Sequence, residues 1–314
     1  MKLSELKKAN ISEGLYVVEG DDAYLRSKAV GIFRSLVDND VADLNVSELT
    51  SDVSSGALTS AIEALPFMAD RRVVIVRDWT ADEGDKAVKS VLNAVKGSST
   101  VLVLVSDTVA VPAALKKAAV IVKCDKPGDY ELADAIAQRF LSASVRISPA
   151  TCRMIATFCG MDTGRAFNEV DKLISAGLDE VTDSDVRQYV HRETDYAVFA
   201  LTDAIAAGNK AHALEVLRDL SVGNSPSSIL SVLYTNYRRV LYVALSKADD
   251  ETLVEALGVH PYVLKKLRAQ ARAYTQVRLK ALVDKLNELE TDFKTGKLSE
   301  ANAMWLAIFN IFES

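Results

Sequence analysis

The sequence predicts an α/β domain built on a parallel sheet, followed by two all-α domains. Three observations predict it. Over the first 125 residues, short unbroken β-branched runs alternate with helical periods. The cluster Lys126-Pro127-Gly128-Asp129 then ends the strand signal. From Tyr196 onward every stretch carries helical spacing.

In chain order, Leu15-Tyr16-Val17-Val18 reads as a strand, and a helix over about 23–37 follows. Leu44 to Leu49 is a weaker strand and Gly56 to Leu65 a helix. Val73-Val74-Ile75-Val76, a helix over about 85–95, Val101 to Val105 and Ala119 to Val122 complete the set. Continuous apolar strands between helices are the pattern of a parallel sheet covered on both faces. Beyond Pro127, helices are expected over 129–143, from Ser148-Pro149, over 163–176, and after the capping run Thr182-Asp183-Ser184-Asp185. The last helices fall near 196–207, 210–221, 226–247, 251–257, 261–273, 275–295 and 299–312. The domain boundaries are 1–126, 127–194 and 195–314.

Composition narrows the function. The chain has 314 residues, 49% of them hydrophobic and 25% charged, with a net charge of −6. Such a chain buries a core without staples. No run of 18 apolar residues exists, and Met1 to Lys8 alternates charge with leucine, so a cytoplasmic protein is expected. Three cysteines (Cys124, Cys152, Cys159) without a CxxC pair suit reduced thiols, and three scattered histidines (His191, His212, His260) give no zinc cluster. The charge is uneven: residues 127–195 hold 7 basic and 12 acidic groups, whereas 196–314 hold 14 and 13. Coating nucleic acid by bulk charge is therefore not expected.

The first strand runs into Glu19-Gly20-Asp21-Asp22 and a helix, where a nucleotide-binding fold carries its phosphate loop. Laid on Gly20 to Ser27, the template GxxxxGK[ST] keeps Gly20 and Ser27 but meets Leu25 for its second glycine and Arg26 for its lysine. Leu25 is bulky where backbone must approach phosphate. Glu19, Asp21 and Asp22 set carboxylates where phosphate oxygens would lie. The loop is either a nucleotide-fold relic or a plain turn with Asp caps; both readings exclude ATP chemistry. The strand 73–76 runs into Arg77-Asp78 without a second acid for magnesium, and no GxSxG, HExxH or Cys/His nucleophile pattern appears. No catalytic residue, metal or cofactor is expected.

Two other stretches stand out. Ala64-Leu65-Pro66-Phe67-Met68-Ala69-Asp70-Arg71-Arg72 ends a helix at Pro66 and enters a strand. Phe67 and Met68 either plug a partner's hydrophobic pocket or tuck under the sheet edge. The stretch 258–283 holds Lys265, Lys266, Arg268, Arg272, Arg278 and Lys280 with no acid. Lys265, Arg268 and Arg272 share one helical face and Leu264, Leu267, Ala271 and Tyr274 another; the basic face meets DNA phosphate or water.

Four segments in order resemble the delta-subunit family of the bacterial DNA polymerase III clamp loader. They are Tyr16 to Leu25, Leu65 to Val76, Leu257-Gly258-Val259-His260-Pro261-Tyr262-Val263-Leu264-Lys265-Lys266-Leu267, and Asp292-Phe293-Lys294-Thr295-Gly296-Lys297. The resemblance implies an AAA+-like, RecA-type core (1–126) lacking a working P-loop, a helical lid domain (127–194) and a helical collar domain (195–314). It implies a chain that neither binds nor hydrolyses ATP but binds and opens the sliding clamp (beta subunit) for loading on primed DNA. It also implies partners: the ATPase subunits gamma/tau and delta-prime in a hetero-pentamer, within a polymerase holoenzyme. The implied clamp-binding residues are Phe67 and Met68 with Leu65 and Pro66; many relatives are aromatic where Met68 stands. Collar apolar faces such as Ile229, Leu233, Leu241 and Trp305 would join subunits, and Lys265, Lys266, Arg268 and Arg272 are candidates for DNA contact. The competing classes are an active P-loop ATPase and a stand-alone DNA-binding protein.

Overall fold

β1 (Gly14–Glu19), β2 (Val46–Leu49), β3 (Arg72–Arg77), β4 (Thr100–Val105) and β5 (Val120–Lys123) form one parallel sheet in the order β2-β3-β4-β1-β5. The computed structural model describes residues 1, 3–80, 84–190, 194–221 and 224–313; His191 lies outside them. The chain divides into two compact units, Met1–Pro127 and Gly128–Ser314. The helical stretches expected at 127–194 and 195–314 thus fall in one unit.

Alternate residues of each strand point to opposite faces, and both faces are covered. Tyr16, Val18, Ile75 and Val103 pack with Val30 and Phe33 of α1 (Ala23–Arg34). Val17, Val74, Leu102 and Leu104 pack with Leu58 and Ile62 of α3 (Ser55–Glu63) and Val91 of α4 (Asp85–Lys96). Burial on both sides is why the strands read as unbroken apolar runs. Two short helices escape the sequence reading: α2 (Ala42–Asn45) and α5 (Ala113–Ala118). Four and six residues are too few to show a helical period.

The second unit starts with α6 (Asp129–Ser142), α7 (Pro149–Phe158), α8 (Thr163–Ser175) and α9 (Asp183–Tyr189). Ser148, Asp162 and Thr182 cap the last three, each accepting a backbone N–H. The strand signal does not vanish wholly: β6 (Arg146–Ile147) and β7 (Glu180–Val181) pair in parallel, a two-residue bridge too short for periodicity. Seven helices follow: α10 (Thr194–Ala206), α11 (Lys210–Ser221), α12 (Pro226–Leu245), α13 (Asp250–Leu257), α14 (Pro261–Ala271), α15 (Gln276–Lys294) and α16 (Glu300–Glu313). Their core gathers on α12 through Ile229, Leu230, Leu233 and Tyr237. Ile229 and Leu233 are therefore interior, which corrects the expectation that they face another subunit. No helix among the described residues is long and apolar enough to cross a membrane.

Candidate functional site

The loop after β1 is filled by the protein itself. Asp22 caps α1, its Oδ1 accepting Leu25 N–H at 2.9 Å. Asp21 Oδ1 accepts Lys126 N–H at 2.7 Å, and Glu19 pairs with Lys116 at 2.5 Å. All three carboxylates that the sequence sets at this loop are thus engaged within the protein. Glu19 has an opposite charge beside it, whereas Asp21 and Asp22 each take a backbone N–H. Arg26 turns inward, donating to the Gly20 carbonyl and, at 2.7 Å, to Asp107, which also takes Arg77 at 2.8 Å. Gly20 has φ +138, and a Cβ there would run into the backbone of Cys124 and Asp125. Asp22 N–H in turn donates to the Cys124 carbonyl at 2.9 Å. Leu25 packs at the sheet's α1 face, while Ser27 is solvent-facing. Burial raises the Cys124 thiol to about 11, with the Asp22 charge adding to it, so this cysteine stays protonated.

Asp78, at the end of β3, is also committed. Its carboxylate accepts the N–H groups of Asp107, Thr108 and Val109 at 2.8, 2.8 and 2.9 Å and the Thr108 hydroxyl at 2.7 Å. Burial pushes its pKa up, but these four donors outweigh that and hold it at about 2. The folded value lies below the unfolded one of about 3.9. The stabilisation is thus present above pH ~4 and lost as pH falls toward 2. Asp78→Asn should therefore melt lower than the parent at neutral pH, and acid titration of melting temperature should close the gap near pH 2–3.

The exposed apolar segment lies between α3 and β3. The helix stops at Glu63, not at Pro66: Ala64 is already extended, because Pro66 forces Leu65 out of helical geometry and frays the turn before it. Leu65, Phe67 and Met68 keep 83%, 56% and 81% of their surface exposed, and Pro66 is half-buried. The backbone beneath is fixed. Phe67 N–H donates to Asn45 Oδ1 at 2.7 Å, and Asn45 Nδ2 donates to the Phe67 carbonyl at 2.8 Å and the Val41 carbonyl at 2.9 Å. Asn45 is fully buried. Met68 has φ 53, a left-handed conformation that costs a side-chain-bearing residue about 1 kcal/mol or more. Arg71 donates to the Ile11 carbonyl and Arg72 to the Leu44 carbonyl, both at 2.7 Å, anchoring the exit. A greasy tip on a pinned backbone can enter a hydrophobic pocket with little ordering cost.

Comparison with known proteins decides the family. The model for "DNA polymerase III, delta subunit" matches residues 16–125, and that for "DNA polymerase III delta subunit, C-terminal domain" matches residues 195–311. The chain belongs to the DNA polymerase III delta-subunit family. The DNA polymerase III subunit delta of Bacillus subtilis is 25% identical over 93% of this chain and 90% of its own length. The solved Bacillus subtilis DNA clamp loader delta protein superposes with a TM-score of 0.79 at 22% identity, covering 98% of this chain and 97% of that one. The fold is accordingly a RecA/AAA+-like sheet domain followed by a helical C-terminal unit.

Elsewhere in this delta-family chain, the basic helix face is partly engaged. Lys266 Nζ reaches Asp203 at 2.9 Å and Arg268 pairs with Asp250, while Lys265 and Arg272 are solvent-facing. Leu264 and Leu267 are core, as expected. On α16, Trp305, Leu306 and Phe309 are exposed beside Leu214. Asn45 was missed in the sequence: a single amide inside a weak strand gives no local signal. Asn45→Ala should cost about 1–3 kcal/mol of stability through the orphaned Phe67 N–H and carbonyl. Thermal denaturation with hydrogen exchange at Phe67 measures it.

Proposed function

We propose that this chain binds the sliding clamp through Phe67 and Met68, flanked by Leu65 and Pro66, and opens it for loading on primed DNA. The observation carrying the reading is an exposed apolar pair on a backbone pinned by buried Asn45, with Met68 held at positive φ. A closed ring is not opened by tight binding alone; the chain must bind the open or strained ring better than the closed one. ATP enters through partner subunits of a hetero-pentamer, gamma/tau and delta-prime, which expose or hide this surface. The chain itself neither binds nor hydrolyses ATP. Support for that is the loop after β1, where the Cys124–Asp125 backbone lies against Gly20 and Arg26 donates to the Gly20 carbonyl. The exposed face of α16 at Trp305, Leu306 and Phe309 is a surface for a neighbouring subunit. Lys265 and Arg272 remain available to DNA in the assembled, cytoplasmic complex.

The test is a pull-down of the purified chain against a purified sliding clamp without ATP. Capture is expected; its absence removes the reading. Micromolar ATP affinity that depends on Arg26 and Ser27 would favour the active ATPase. Salt-sensitive affinity for primed DNA with no partner present would favour the stand-alone DNA binder.

A further inference from the structure

α8, α11 and α14 all begin at one cleft of about 550 Å³ within the Gly128–Ser314 unit. The residue just before each helix lines it: Asp162 before α8, Asn209 before α11 and His260 before α14. Each caps its own helix, accepting from Arg165 N–H at 2.7 Å, His212 N–H at 3.2 Å and Tyr262 N–H at 3.2 Å respectively. Three helices, each of 11 residues or more, therefore turn the positive ends of their dipoles to the same space. Three cationic side chains, Arg165, Arg239 and Lys266, stand in the same walls.

Two carboxylates also line the cleft, and both serve the protein's own donors. Asp162 is the α8 cap. Asp203 takes Gln270 Nε2 at 2.7 Å and Lys266 Nζ at 2.9 Å. Behind this wall Gln270 is buried and held by Thr202 at 2.8 Å and Asn236 at 3.2 Å. A buried polar network of this kind fixes a binding wall in advance. Phe199 and Tyr262 add flat apolar surface. The volume falls in the range of small-molecule sites, about 300–1,000 Å³.

We propose that this cleft binds a phosphate-bearing small molecule of nucleotide size. The inference is independent of the clamp reading. It also gives a task to the segment Gly258-Val259-His260-Pro261-Tyr262, which clamp binding leaves unexplained. Gly258, at φ 60, ends α13, and the residues after it run along the cleft wall.

The test is calorimetric titration of the whole chain with inorganic phosphate, pyrophosphate and guanosine diphosphate, with sulfate as the control anion. Binding of pyrophosphate or the nucleotide in preference to sulfate is expected. A tighter nucleotide shows that the base and sugar are held; equal affinities show that phosphate alone is read. Arg165→Ala with Arg239→Gln should weaken binding at least about tenfold at unchanged circular dichroism. If the double variant misfolds, solvent-facing Arg165→Ala alone carries the same expectation. Arg26→Gln with Ser27→Ala should leave binding intact. No heat from any probe at millimolar concentration, sulfate bound equally well, or binding indifferent to Arg165 would overturn the proposal.

Discussion

Phe67→Ala with Met68→Ala should abolish clamp capture while leaving the fold untouched. Burying one such side chain in a pocket is worth about 1.5–3 kcal/mol, so losing both should cost about 3–6 kcal/mol, roughly a hundred- to ten-thousandfold in affinity. The fold should not notice. Both side chains are mostly solvent-exposed and neither belongs to a core cluster, and surface changes of this kind stay within about 0.5 kcal/mol. Surface plasmon resonance on immobilised clamp measures the first quantity and thermal denaturation the second. Assembly with the partner subunits, which we propose to run through α16, should persist. An unchanged clamp affinity would remove the assignment of residues 67 and 68. Lost affinity together with a lowered melting temperature would mean that the pair supports the fold instead.

Gly20→Ala should be the most damaging single substitution in the first unit. The φ of +138 is a region open almost only to glycine, at a cost of about 1–3 kcal/mol for any other residue. The added methyl would also press on the Cys124 carbonyl and Asp125 N–H, which are backbone and cannot swing away. Overpacking of that sort adds about 1–3 kcal/mol. The expected loss is thus about 2–6 kcal/mol. Faster amide exchange should appear in β1 and β5, which meet at Cys124 N–H donating to the Glu19 carbonyl at 2.7 Å. A variant with normal melting and exchange would mean that the loop stands open. The room for a phosphate would then be restored, and with it the ATPase alternative.

The strands were legible because parallel strands buried on both faces write themselves as continuous runs such as Val73 to Val76 and Val101 to Val105. Helix starts were legible where a capping side chain stands at its own helix, as at Ser148 and Thr182. Short pieces were not: α5 spans six residues and β6 two, less than any period needs. The end of α3 fell two residues early because Pro66 acts through the residues before it.

At the site, residue types were readable but their employment was not. Leu25 and Arg26 already set the loop apart from the GxxxxGK[ST] pattern. Only the folded chain decided that Arg26 turns onto the Gly20 carbonyl and that Asp21 serves Lys126, 105 positions away. Residues 67 and 68 could be picked out as apolar beside charge, but packing alone decided that they face solvent while Ile229 and Leu233 do not. The partner amide came from Asn45, 22 residues upstream. Periodicity and capping are local rules, carried by neighbours three or four residues apart. Closure of a loop, pinning of a tip and convergence of three helix starts on one cleft are set by long-range packing, which leaves no mark on local spacing.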